Sequence, residues 1–299
     1  MSRRSTAKIV TLAATLAAGL LAPARATAMP LESPQHFAIE IKLGPYVPHL
    51  DSSAGLNGRT PFSDQFGSPT SEKGALPSRG LLTQGEFDYQ FFSRFGTLGV
   101  GISGGYYSIS APAFTRLGKA PGQPCNVIAG EQNSRVYQAP SAANPSMLES
   151  KTYEQCISGD TDKLNVVPLS LMLVYRFDVL DKRLRVPLIP YIKVGLGYYV
   201  WWFGSSDSFT ANVTYNGSDG QSRTEAASGA SMGVVIHPGL ALNLSALDPH
   251  AGRVIDQEVG INRVSAFVEL NAALVDGFGR SNKLNLSDTT LNAGLNFEF

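Results

Sequence analysis

The segment Leu291-Asn292-Ala293-Gly294-Leu295-Asn296-Phe297-Glu298-Phe299 places an apolar side chain at every odd position and a small or polar one at every even position. A backbone with that period is extended, and its side chains alternate between two faces. One face suits an apolar medium and the other a polar interior, the pattern of a strand in a lipid-embedded barrel. With an aromatic at its end, this segment is expected to be the closing strand of the sheet.

The opposite end carries Arg3, Arg4 and Lys8, then an apolar stretch from Ile9 to Ala22, then Ala26-Thr27-Ala28. That is the layout of a secretory signal cut after Ala28, so residues 1–28 are expected to be removed and 29–299 to form one barrel domain. The apolar stretch is too short and too rich in Ala and Thr for a spanning helix. Beyond it no apolar run approaches the roughly 20 residues such a helix needs. The 24 basic and 24 acidic residues balance. Cleavage removes four basic residues, Arg25 among them, and no acidic ones, leaving a slight acidic excess. A nucleic-acid partner would call for the reverse.

Seven further segments of the mature chain alternate in the same way. The first, Phe37 to Tyr46, sets Phe37, Ile39, Ile41 and Leu43 against Glu40 and Lys42. Others follow at about 82–92, 97–107, 163–176 (broken by Pro168), 189–202, 232–244 and 264–275. Each is near the 9–11 residues a tilted strand needs to cross hydrocarbon. The connections at 47–81, 108–162, 203–231 and 276–289 are long or intermediate in length and polar, whereas those at 93–96 and 177–188 are short. Residues 245–263 are longer but contain Asp248 to Val259, helical in spacing and opened by Asp-Pro. The expected fold is therefore all-β: a closed antiparallel eight-stranded transmembrane β-barrel with long extracellular loops and a short periplasmic helix. Ten strands remain an alternative, because Phe209 to Tyr215 also alternates.

Aromatic residues gather at both ends of the segments. Tyr46, Tyr106, Tyr107, Tyr198, Tyr199, Trp201 and Trp202 fall near one end, and Phe37, Phe91, Phe92, Phe95, Tyr175, Phe177, Tyr191, Phe297 and Phe299 near the other. Two girdles at headgroup level are expected of a lipid-spanning barrel.

Signal, eight alternating segments and terminal aromatic together resemble small outer-membrane β-barrel proteins of Gram-negative bacteria, such as the outer-membrane protein A transmembrane domain and the outer-membrane protein W group. The passage Leu240 to Leu270 also looks like an uncharacterised myxobacterial barrel family. The resemblance implies an outer-membrane location and contact with outer-membrane lipids and lipopolysaccharide. It also implies that Leu291, Leu295, Phe297 and Phe299 act as the signal read by the barrel-assembly machinery. The loop 108–162 is larger than such barrels usually carry.

Two cysteines, Cys125 and Cys156, lie in that loop. In an exported chain pairing is the default, and closing a loop of about 30 residues stabilises by roughly 3–4 kcal/mol in the chain-entropy model. A metal site would need further His or Cys ligands nearby.

Enzyme motifs are weak. Gly99-Val100-Gly101-Ile102-Ser103-Gly104 fits a dinucleotide fingerprint, and Gly101-Ile102-Ser103-Gly104-Gly105 fits a nucleophile elbow. Both motifs require a strand-to-helix turn, and both sit inside an alternating strand. His36, His49, His237 and His250 are scattered along the chain, and Asp160 and Asp162 read as solvated loop acids. No enzyme activity, cofactor or metal is expected.

The functional residues expected are the inward polar set: Glu40, Lys42, Glu86, Asp88, Arg176, Lys193, His237 and Glu269, with Asn271. In a lumen just wide enough for side chains, such charges must pair. They form either the polar core of a closed scaffold that presents loops to an extracellular ligand, or the gate of a narrow channel for small polar or amphipathic solutes.

Overall fold

The computed structural model describes residues 36–53, 61–66, 80–114, 126–127, 137–141, 144–151, 157–206, 208–216 and 221–299. The signal segment 1–28 and both cysteines lie outside them, so neither expectation is tested.

Eight strands close into an antiparallel barrel: β1 (Phe37–Tyr46), β2 (Gly80–Phe92), β3 (Thr97–Phe114), β7 (Ile157–Arg176), β8 (Leu188–Gly204), β11 (Ser228–Asn243), β12 (Arg263–Leu274) and β13 (Asp288–Glu298). Each pairs with its neighbours in this series, and the ring closes between first and last through pairs such as Ile39–Phe297 and Ile41–Leu295. The terminal alternating segment is thus the closing strand. Both ladders of every barrel strand are occupied, which removes the exposed edges that invite aggregation.

Alternation sets the faces. Along β1, Ile41 is 54% exposed while Lys42 beside it is fully buried. Phe87, Val100, Ile102, Leu171, Leu196 and Leu291 continue the outward apolar set on other strands. The barrel is therefore inverted relative to a water-soluble protein, with aliphatic residues on the outer wall and charges inside. A belt of this extent is solvated by hydrocarbon rather than water.

At one end, which also holds both ends of the described chain, the connections are tight: 93–96, the six-residue helix α2 (Val179–Leu184), and the turn carrying α3 (Pro249–Val259). Asp248 caps α3 by accepting from the His250 and Ala251 amides at 3.1 Å, with Pro249 in the first turn and Gly260 closing the helix at positive φ. The sequence expected this helix; it did not expect α2. At the other end lie the long connections. They hold the short helix α1 (Pro61–Phe66), a three-stranded sheet of β4 (Asn126–Val127), β5 (Tyr137–Ser141) and β6 (Asn144–Lys151), and a hairpin of β9 (Asn212–Asn216) and β10 (Ser222–Ala226).

One alternative is settled and two expectations are corrected. The alternating Phe209 to Tyr215 stretch does contribute a hairpin, but β9 and β10 pair only with each other and the barrel keeps eight strands. Pro168 does not break its strand: β7 runs through it, and its pairing with β3 skips from Gly104–Leu169 to Tyr107–Val166. A residue without an N–H is accommodated where the ladder is open. Finally, the loop-end aromatic girdle is thinner than expected. Tyr106 and Tyr198 face outward, but Tyr46, Tyr107 and Tyr199 are buried inside the barrel, and Trp201 packs against them. Tyr191 of the other girdle also points inward. In a strand of period 2, adjacent aromatics cannot share a face.

Candidate functional site

All eight of the charged and histidine residues expected in the lumen are buried there, and they meet in one network. Each comes from an inward position near the turn-end half of its strand: Glu40 and Lys42 on β1, Glu86 and Asp88 on β2, Arg176 on β7, Lys193 on β8, His237 on β11 and Glu269 on β12. Six strands therefore converge on one layer.

Lys193 is its centre. Its Nζ lies 2.5 Å from Glu40 Oε2, 2.7 Å from Glu86 Oε1 and 3.3 Å from Glu269 Oε2. Lys42 Nζ joins the same acids from one side, 2.9 Å from Glu86 Oε2 and 2.8 Å from Glu269 Oε1. Arg176 donates to Glu40 Oε1 at 2.7 Å and to Asp88 Oδ2. His237 Nδ1 stands 3.2 Å from Glu269 Oε1, and the Tyr191 hydroxyl donates to Glu269 Oε2 at 3.2 Å. Lys193 also lies 5.1 Å from the Tyr191 ring centre and 5.7 Å from that of Phe267. Each charged group of the layer has at least one partner of opposite sign, which offsets part of the cost of taking it out of water.

Oxygen atoms of Glu40, Glu86 and Asp88 approach within 4.8 Å of one another, a spacing that could suit a metal ion. The ammonium of Lys193 and the guanidinium of Arg176 already bridge these acids, and supply the positive charge an ion would bring. Asn271 stands apart from the network, its amide 3.5 Å from Asp288 Oδ2.

Two features of the lumen carried no clear sequence signal. Towards the turn end, Arg263 reaches Glu298 at 3.4 Å and Asp181 at 3.6 Å, extending the charged layer into the α2 turn. Burial raises the Asp181 carboxyl above its ordinary range, against the opposing pull of Arg263 and the Asn243 amide that donates to it at 2.9 Å. Towards the loop end the interior is mainly apolar, although Asp288 is buried beside it. Tyr46, Leu82, Tyr107, Leu164, Met172, Tyr199 and Val235 fill it as one apolar cluster.

The first loop seats Leu50 and Phe66 onto that cluster. It is held there by the Phe62 amide on Asp51 (2.7 Å), by Gln65 Nε2 on Asp162 (3.0 Å) and by the Asn285 amide on Ser53 Oγ (2.8 Å). Tyr46 completes the seal by donating to the Leu286 carbonyl at 2.8 Å. Glycines make room for the large groups. A Cβ on Gly239 would stand 2.3 Å from the Tyr191 ring, and one on Gly101 2.1 Å from Asp88 Oδ1.

The enzyme-like motifs take no special geometry. Ser103 lies inward in the uninterrupted β3, opposite Glu86 on one side and Ser170 on the other, with no turn to make an elbow. His36, His49 and His250 are remote from it in the fold, at the start of β1, before the turn at Leu50–Ser52 and in α3.

No family model matches this chain, and no curated protein matches it. Among solved structures, Ail, the attachment invasion locus protein of Yersinia pestis, is 10% identical with a TM-score of 0.35, covering 90% of this chain and 100% of its own. Neisserial surface protein A is 11% identical with the same TM-score and the same coverage. At those values the likeness carries no argument, and the barrel architecture rests on the continuous strand pairing itself.

Proposed function

We propose that the protein is a closed outer-membrane β-barrel of a Gram-negative cell, a structural or surface-interaction protein that anchors its long loops outside. The observation carrying this reading is the doubly filled lumen. A solute moving along the axis must part the buried ion pairs around Lys193 and then displace the Tyr46–Tyr107–Tyr199 cluster. The apolar belt and inverted burial support the membrane setting, and the basic, apolar and small-residue N-terminus supports export. Short turns at one end and long connections at the other support the orientation, with turns and termini in the periplasm. Leu295 and Phe297 lie on the outward face of β13, where the assembly machinery could read them. Binding by the loops follows the general rule that a rigid scaffold carries its recognition on connecting segments.

The test is single-channel conductance in a planar bilayer, using protein whose gel mobility shifts on boiling. Silence from the folded barrel is the expected result. Steady openings in the wild type, altered when Lys193 or Glu269 is neutralised, would overturn the closed scaffold in favour of a narrow channel.

A further inference from the structure

The hairpin at the end of the β8–β11 wall has an open strand edge. β10 (Ser222–Ala226) pairs with β9 and with no other strand among the described residues, and all five of its residues are exposed. At its base the Ala227 amide donates to the Ala211 carbonyl, and the Phe203 amide donates to the Ala227 carbonyl. The hairpin is therefore tied to the barrel wall where β10 runs on into β11.

Register tells which backbone groups the open edge offers. Antiparallel partners alternate between pairs that exchange both backbone hydrogen bonds and pairs that exchange none. The Ala227–Ala211 bond, at 2.7 Å, continues the ladder that runs from Ser222–Asn216 to Ala226–Asn212. Counting back from it, Glu225–Val213 and Arg223–Tyr215 are bonded pairs. Thr224–Thr214 is then a non-bonded pair, the kind in which side chains come closest, and those two hydroxyls meet at 2.9 Å. The amides and carbonyls of Ser222, Thr224 and Ala226 consequently point away from β9, along the open edge.

Charge makes that edge complementary to itself. Arg223 and Glu225 flank Thr224, and alternation puts their side chains on one face of the strand. An antiparallel copy centred on Thr224 sets Arg223 opposite the copy's Glu225, and Glu225 opposite the copy's Arg223. The outward amides and carbonyls of Ser222, Thr224 and Ala226 then pair along the seam. Both ion pairs fall at non-bonded positions, where cross-strand side chains are closest. Both side chains also interact within their own chain, so the charges set register more than they add affinity. An edge guarded against pairing typically carries lysine or proline. This one carries one charge of each sign, symmetric about its centre.

We propose that β10 pairs edge to edge with β10 of a second copy, joining two hairpins into one continuous sheet outside the barrels. The contact is isologous, each copy giving and receiving the same groups, so it closes at a dimer. The inference rests on the surface-interaction reading above, and names a second copy of this chain as the partner.

Sedimentation equilibrium of the refolded protein in density-matched neutral micelles reads the association directly. The wild type is expected to show a monomer–dimer equilibrium. Arg223→Glu alone and Glu225→Arg alone each set like charges opposite one another, and each should weaken dimerisation roughly tenfold or more. Mixing the two single variants should restore association, because the acids of one then face the bases of the other. The double exchange Arg223→Glu with Glu225→Arg should dimerise as the wild type does. Thr224→Pro removes an edge amide without touching the β9 ladder, and should abolish the dimer. A dimer indifferent to both reversals, or a mixture that stays monomeric, would overturn the interface. Gel shift on boiling and entry into liposomes are scored on the same samples. Failure there overturns the outer-membrane reading, whereas folded, inserted wild type that stays monomeric overturns this contact alone.

Discussion

The two halves of the lumen are built on the same alternation and held by opposite chemistry. Around Lys193, acids and bases from six strands neutralise one another out of reach of water. Around Tyr107 and Leu164, a few residues along the same strands, the filling is aromatic and aliphatic. The ion-paired layer tolerates few changes, because removing one partner strands several charges at once. The apolar layer fails gradually, methylene by methylene. A barrel with both has its lumen filled twice along the axis.

That contrast can be broken first at its centre. Lys193→Met leaves Glu40, Glu86 and Glu269 short of their shared cation, and should cost about 3–5 kcal/mol. Urea titration of the boiling-dependent gel shift in liposomes measures it. A loss below about 1 kcal/mol would mean that the layer is solvated. Leu164→Ala in the apolar layer should cost somewhat less, about 2–4 kcal/mol within the range for buried aliphatic truncation. Pairing Tyr46→Ala with Tyr107→Ala should raise transient conductance while the ion pairs still bar steady flow. Steady openings in that double variant would assign closure to the aromatic half alone.

Gly239→Ala presses a methyl into the Tyr191 ring and should cost about 1–3 kcal/mol by overpacking. Tyr191→Phe in the same background should not relieve it, since the ring remains. The smallest effect concerns Asp181 in the turn beyond the strands. Its carboxyl sits above the ordinary value of 3.8 in the fold, so the folded state holds the proton that the unfolded chain releases. Stability should be highest below pH 3.8 and should decline as pH rises towards the folded value, levelling off above it. Asp181→Asn should flatten that segment of the stability curve, and an unchanged slope would assign it to another group.

The strand faces were legible because a period of 2 leaves no freedom: once Ile39 and Ile41 face lipid, Glu40 and Lys42 must face inward. The same rule also contains the correction to the girdle, since Tyr106 facing outward sends Tyr107 into the lumen. Helix α3 was legible from Asp248-Pro249. Helix α2 was not, because six residues carry too little periodicity to distinguish from a turn. The first strand of the hairpin at 212–226 was visible as the alternation of Phe209 to Tyr215, yet alternation does not say whether a strand joins the barrel or pairs only with its neighbour.

The sequence by itself determined the class of fold, the face of each strand and the eight lumen residues around Lys193, though not Arg263 or Glu298, because these follow from local periodicity and the medium on each side. Only the tertiary structure decided that Lys193 answers three acids from three different strands, and that the first loop seats Leu50 and Phe66 into the barrel mouth. Those meetings depend on register and closure, which join residues tens to more than a hundred positions apart and leave no trace in any short stretch of chain.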